Sequence, residues 1–124
     1  MTEEYKQLLL KDLSLRLPYG VICEDEYGNV LELNGIDKPN FVTFKCSDNT
    51  FWTTDLDKCK PYLFPFTSMT EEQEMEYGSL LESDINGICY DTVESIDYLI
   101  AHHFDYRGLI PMGLANDATG LNIY

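Results

Sequence analysis

The chain has 124 residues, 44% of them hydrophobic and 13% aromatic, which is enough apolar mass for one self-sufficient domain and too much for a disordered segment. Twenty-two acids face eight basic residues, a formal charge of −14, and such a surface repels nucleic-acid phosphates and anionic lipid, which argues against direct DNA, RNA or membrane-surface binding. The imbalance is uneven: up to Lys60 there are seven basic and eleven acidic residues, and after it one basic and eleven acidic, so the two parts carry −4 and −10.

Glu3 to Leu17 reads as an amphipathic helix, with Tyr5, Leu9, Leu13 and Leu17 at helical spacing and Leu10 widening the stripe. Glu3 and Glu4 suit the positive N-terminal end, and Pro18 pushes Leu17 out of helical geometry. On this pattern Lys6, Lys11, Asp12 and Arg16 fall outside the apolar stripe. The middle of the chain reads as strands. Gly20 to Glu24 and Val30 to Ile36 flank EDEYGN, whose Gly28-Asn29 pair tolerates positive φ, and Asn34-Gly35 reads as a second tight turn. Phe41 to Cys46 alternates, with Val42, Phe44 and Cys46 on one face, and Ser47-Asp48-Asn49 turns the chain into Thr50 to Leu56. The short connections exclude parallel crossovers among these strands.

KPYLFPFTSM, Lys60 to Met69, has two prolines and three aromatics, which predicts an extended strap over the core and not a central strand. Thr70 opens a helix with a T-x-x-Q capping box, and Glu71, Glu72, Glu74 and Glu76 crowd its first turns. Asp91 or Thr92 caps the last helix, with Glu94 placed to complete a box and Val93, Ile96, Ile100 and Phe104 on one face. Its end falls near His103 to Tyr106, with Gly108 as a left-handed cap. Beyond it, turns lead into an unremarkable tail. The expected architecture is a single α+β domain over residues 1–124: an N-terminal helix, an antiparallel β-meander of about four strands and two C-terminal helices.

Cys23, Cys46, Cys59 and Cys89 are widely separated, with no C-x-x-C pair and no histidine nearby, which argues against a zinc site; no other metal or cofactor pattern is present. MTEEYKQLLLKD lacks the basic start and long apolar run of a secretion signal, and no stretch approaches the roughly 18 apolar residues of a membrane span. The expectation is a cytoplasmic protein with reduced thiols.

Both histidines stand side by side in AHHFDYRGLIPMG, Ala101 to Gly113. Neighbours on a helix point about 100° apart, so His102 and His103 cannot face the same way, and metal-binding helical pairs stand three or four apart. His103 borders the apolar stripe, while histidines near a helix C-terminus interact well with its free carbonyls. Arg107 is the only basic residue after Lys60. His102, His103, Asp105 and Arg107 therefore read as a structural clasp that ends the helix and pins the tail, with no catalytic residues assigned. The competing reading makes the same four residues a hydrolase-like site: a histidine as general base, Asp105 orienting it and Arg107 holding an anionic substrate.

LLLKDLSLRLPYGV, KPYLFPFTSMTEEQEMEY and SIDYLIAHHFDYRGLIPMGLA resemble segments of an uncharacterised family of small proteins encoded by gut anaerobic bacteria, their mobile elements and phages. Residues 24–57 match only in general character. The resemblance implies a bacterial or phage origin, cytoplasmic residence and an accessory role, and transfers no catalytic residue.

The functional expectation is a non-enzymatic acidic accessory protein that binds a protein partner with a basic surface, in its sharper form an inhibitor imitating nucleic-acid charge. Glu71, Glu72, Glu74 and Glu76, with Tyr62, Phe64 and Phe66 of the strap, are the candidate partner-binding residues. A small structural or assembly component is the alternative, self-associating through an exposed strand edge or the strap.

Overall fold

Thr2 caps the first helix, its hydroxyl accepting the Tyr5 N–H at 3.1 Å, and α1 then runs over Glu3–Arg16. The computed structural model describes residues 2–37, 40–46 and 48–124. Leu9 and Leu13 are fully buried, each worth about 1.5–3 kcal/mol of transfer from water. Contrary to the expected stripe, Asp12 and Arg16 are buried with them, while Tyr5 is exposed. Leu9, Asp12, Leu13 and Arg16 stand at i, i+3, i+4 and i+7, so the core-facing stripe itself holds an acid and a base one turn apart. A single turn of tighter helix, Leu17–Tyr19, closes the element ahead of Gly20, whose φ is +73°.

The main sheet has six strands, not about four: β1 (Ile22–Glu24), β2 (Val30–Asp37), β3 (Phe41–Lys45), β4 (Phe51–Asp55), β5 (Lys60–Leu63) and, far along the chain, β8 (Asn116–Asp117), in the order β4-β3-β2-β1-β5-β8. All neighbours are antiparallel except β5 and β8, which run parallel. The expected exclusion of parallel pairing holds for the short connections. The parallel partner arrives through a long crossover that contains both later helices.

Two local expectations on the sheet are corrected. Asn34-Gly35 is no turn: the register shifts between Leu33 and Gly35, and β2 continues to Asp37. Leu33 and Ile36 both pack on the core although an odd spacing of three would put them on opposite faces, and the bulge restores them to one side. The first four residues of the strap, Lys60–Leu63, are also a strand, and a single helical turn, Phe66–Ser68, follows. Pro61 is tolerated inside the sheet because β8 pairs only with Tyr62 and Leu63, so the missing N–H faces no ladder on that side. Elsewhere the turn chemistry is as expected. Asp25 accepts the amides of Tyr27 and Asn29 at 2.9 Å each in the β1–β2 turn, with Gly28 at φ +81°. Burial alone would raise the Asp25 carboxyl, but bonds from Asn29 and Tyr27 outweigh it and hold it below its usual value. In the β3–β4 turn Asn49 takes φ +66° and Asp48 accepts the Thr50 amide, while Ser47 lies outside the described residues.

After β5 come α2 (Glu71–Leu80), a two-stranded hairpin of β6 (Glu82–Ser83) and β7 (Cys89–Tyr90), and α3 (Val93–Ala101). The Thr70–Gln73 capping box is formed; the α3 box uses Thr92 and Ser95, leaving Glu94 one residue short. Of the expected face Ile100 and Phe104 are buried while Val93 is exposed, and Ser95 and Leu99 complete the buried side. The main-chain direction reverses at His103, which takes φ +64° in the place expected of Gly108.

One face of the sheet meets α1. Leu9 and Leu13 pack there with Val21, Cys23, Leu33, Val42, Phe44, Leu56, Cys59, Leu63, Leu109 and Leu114. Burial, and then the neighbouring Cys59 thiol and Asp12, push the Cys23 thiol well above its usual range, leaving it inert in the core. Two polar contacts tie α1 to the C-terminal part, Arg16 to the Phe104 carbonyl and Arg107 to Asp12, and two more hold these arginines in place. Arg16 is fully buried, its Nε donating to Asp12 Oδ2 at 2.7 Å and its Nη2 donating to the Phe104 carbonyl at 2.7 Å. Arg107 Nε stands 3.3 Å from Asp12 Oδ1, and its guanidinium lies 4.7 Å over the Tyr106 ring.

Replacing Arg16 by Met leaves a buried Asp12 with a poorly placed partner and a free carbonyl at Phe104, so Arg16→Met is expected to cost about 3–5 kcal/mol. The double variant with Asp12→Leu should recover part of that loss. Urea unfolding of the three proteins tests this, and a single variant as stable as the parent contradicts the role given to the pair.

Candidate functional site

The expected partner-binding acids sit on a lobe made of α2, the β6–β7 hairpin and α3. No Lys or Arg occurs between Lys60 and Arg107 to neutralise them. Tyrosines take the place of cations. Tyr98 donates its hydroxyl to Glu76 Oε2 at 2.8 Å, Tyr90 to Glu82 Oε2 at 3.0 Å, and Tyr77 to Asp91 Oδ1. Tyr77 and Tyr98 stack with ring centroids 6.4 Å apart, joining α2 to α3. A phenol satisfies a carboxylate's lone pairs without cancelling its charge, so the lobe is cohesive and its negative field survives. Glu71, Glu72, Glu74 and Glu76 are all exposed on α2.

The sequence reading did not identify the hairpin tip. Asp84 Oδ1 accepts the amides of Asn86 and Ile88, and Gly87 takes φ +78°, which turns the chain tightly and drives Ile85 outward. Ile85 is 99% exposed, Ile88 63%, and Met75 and Val93 on the two helices exceed 70%. The only signal in the sequence was D-I-N-G, a turn motif carrying an isoleucine where polar residues are usual.

The strap aromatics divide. Tyr62 is buried within β5, with its hydroxyl 3.3 Å from Glu24. It is therefore withdrawn as a surface contact. Phe64 is half-buried against Phe104 and Tyr124. Phe66 is 42% exposed and leans edge-on against Tyr77 and Phe104.

The four clasp residues come together only in part. His103 stacks flat on Tyr124, centroids 3.6 Å apart, and its carbonyl accepts the Phe64 N–H at 2.8 Å. Tyr124, read from sequence as part of an unremarkable tail, is a bridge: its hydroxyl accepts the Ile22 N–H and donates to the Tyr62 carbonyl, 2.8 Å each, between β1 and β5. Asp105 accepts the amides of Leu109 and Ile110 at 2.8 Å each, so it neither touches nor orients a histidine as the hydrolase-like reading requires. His102 is exposed and packs on Tyr98, centroids 4.3 Å apart. Arg107 reaches Asp12, not Asp105 or Asp97. Burial first, then the positive Arg16 and His102, push His103 down to about 4, and its Nδ1 has no hydrogen-bond partner.

Open concavity is modest. A hollow of about 460 Å³ is lined by Asp25, Tyr27, Asn29, Leu31, Cys46 and Trp52, with Tyr27 and Trp52 tilted together at 6.0 Å. Two others lie over Lys6, Phe41 and Asp57 and over Gln7, Lys11 and Leu15, and none of the three is lined by the clasp. Among the described residues no three His, Cys, Asp or Glu side chains are grouped to hold a metal ion, and no helix is long and apolar enough to cross a membrane. Comparison with protein-family models, with curated proteins and with solved structures finds no match.

Two pH responses are expected. With a folded value near 4 against about 6.5 unfolded, His103 contributes stability that is present above pH 6.5 and is lost as pH falls toward 4. Asn tolerates the left-handed backbone at this position. His103→Asn should therefore be less stable than the parent at pH 7, by a margin that shrinks at pH 5 in urea unfolding; a constant margin contradicts the assignment. Tyr77 and Tyr98 are each pushed up to about 12, by burial first and then by Asp91 and Glu76 respectively. Their contribution is full below about pH 10 and disappears as pH rises through 12. Tyrosinate absorbance should show a late-titrating fraction, to which the buried Tyr124 also belongs, and Tyr98→Phe should reduce that fraction by one tyrosine.

Proposed function

We propose that this protein is a non-enzymatic acidic accessory factor that works by binding a protein partner with a basic surface, and that the lobe of α2, the hairpin and α3 is its binding face. The observation that carries this reading is Ile85, 99% exposed at a hairpin tip on a lobe without a single Lys or Arg. An apolar anchor ringed by polar side chains is the arrangement of an interface core and rim. The carboxylates steer a basic partner toward the lobe, and the isoleucines hold it once water is excluded.

The sharper form is imitation of nucleic acid. Duplex DNA carries about one charge per 1.7 Å, and an acidic helix beside an acidic hairpin offers a comparable field to a groove built for phosphates. The resemblance to proteins of gut bacteria, mobile elements and phages supports an accessory role in the cytoplasm, such as blocking a DNA-processing enzyme. Asp105's bonds to Leu109 and Ile110 and the stacking of His103 on Tyr124 weigh against the hydrolase-like alternative.

The test is retention of a basic protein from bacterial lysate on the immobilised chain. At low salt a partner should be held, with Ile85→Asp weakening it at least tenfold and raised salt releasing it, as expected where screening shortens the reach of charge to about 8 Å. Duplex DNA should displace the partner if the mimic form is right. No basic protein retained at low salt, or equal retention by Ile85→Asp, overturns the lobe as the binding face.

A further inference from the structure

The sheet ends at β4 on one side, and among the described residues no strand pairs with its outer edge. The hydrogen-bond phase of that edge is fixed by its inner pairing. Cys46 N–H donates to the Thr50 carbonyl and Leu56 N–H to the Asn40 carbonyl, both at 2.8 Å, and the register between them is unbroken over five residue pairs. In an antiparallel ladder the bonded residues alternate, so Trp52 and Thr54 direct their backbone groups to β3. Phe51, Thr53 and Asp55 direct theirs outward.

We propose that β4 pairs edge to edge with β4 of a second copy of this chain, across a two-fold axis at Thr53. In that register Thr53 faces Thr53, Phe51 faces Asp55 of the second copy, and Asp55 faces its Phe51. All three are hydrogen-bonded pairs, about six bonds in total, and every outward group of the edge is matched. An axis at Trp52 or Thr54 loses one of the three pairs. Isologous contact about a two-fold closes on itself and leaves no β4 edge for a third copy.

The side chains suit the same register. The face row reads Phe41, Asp55, Phe51 of the second copy, then its Lys45, so no acid opposes an acid. The Thr43 and Thr53 hydroxyls, 3.4 Å apart within one chain, extend to the matching pair of the other. Phe51, 61% exposed, and Trp52, 36% exposed, gain cover. The edge also lacks the devices that usually prevent pairing: β4 has no Lys, no Pro and no bulge, whereas the opposite edge, β8, is only two residues long.

The net charge does not forbid association in this geometry. The acidic lobe attaches at the β5 and β8 end of the sheet, four strands from the axis. Nine strand spacings of about 4.8 Å separate the two β5 strands, roughly 43 Å, against a screening length of about 8 Å at physiological salt. The dimer presents two copies of the lobe.

Light scattering and sedimentation equilibrium on the full chain, from roughly 10 μM to roughly 1 mM, read the association. The expected result is a monomer–dimer equilibrium with no larger species, tightened by added salt. Thr53→Pro removes an outward N–H that makes no bond within the chain, and should weaken the dimer at least tenfold with the circular dichroism unchanged. Phe51→Glu and Phe51→Lys test the register without relying on proline. Glu would face Asp55 and weaken the dimer at least tenfold, whereas Lys would face the same Asp55 and hold it at least as tightly as the parent at low salt. A strictly monomeric parent at 1 mM, a dimer indifferent to Thr53→Pro and Phe51→Glu, or equal weakening by Glu and Lys overturns the proposal. None of these outcomes depends on Ile85 or on the lobe's partner.

Discussion

Arg16 is the residue on which the rest of the architecture turns. It is fully buried, and a guanidinium cannot lose its proton there, so the fold must supply acceptors from two directions. Asp12 comes from one turn earlier on α1, and the Phe104 carbonyl comes from the end of α3. That second bond joins the first helix to a segment 88 residues away in the chain. It thereby sets where α3 stops, where His103 turns the chain, and where residues 105–115 begin their path back to β8. Arg107 reinforces the same point from the other side of Asp12. Two of the eight cations of a strongly acidic protein are thus committed to a single carboxylate.

That commitment shapes the surface. With Arg107 held at Asp12, the second half of the chain has no cation left for its other acids. Tyrosine hydroxyls serve them instead, on Glu76, Glu82 and Asp91. The substitution of a neutral donor for a charged one has a consequence for function, since packing is secured while the negative field remains. The acidic lobe leaves the sheet after β5, which stands four strands from the open β4 edge in the sheet order.

The histidine pair shows how a conspicuous motif resolves. His103 is neutral, stacked and backbone-bonded, and its main task is geometric: it holds the left-handed position that ends α3. Its partner is Tyr124, a residue with no distinguishing context in the sequence. The hydroxyl of Tyr124 closes the gap between β1 and β5, and its ring meets both His103 and Phe64.

The features legible in the sequence alone rest on interactions that span a few residues. The Thr70–Gln73 box, the Asp25 and Gly28 turn, the alternation of Val42 and Phe44 in β3 and the lopsided charge are of this kind, because a cap, a turn or a two-residue period involves only near neighbours. The burial of Asp12 and Arg16 was illegible for the opposite reason. Their i, i+4 spacing looks the same on a solvated face as on a buried one, and only the arrival of the Phe104 carbonyl makes the interior tolerable for them. The bulge at Asn34, the place of Pro61 inside the sheet and the parallel pairing of β5 with β8 likewise depended on partners distant along the chain. So did the candidate surfaces. The acids of α2 were visible as letters, but the outward thrust of Ile85 and the bare edge of β4 exist only once the sheet order and the lobe are built, since exposure is a property of what the rest of the chain leaves uncovered.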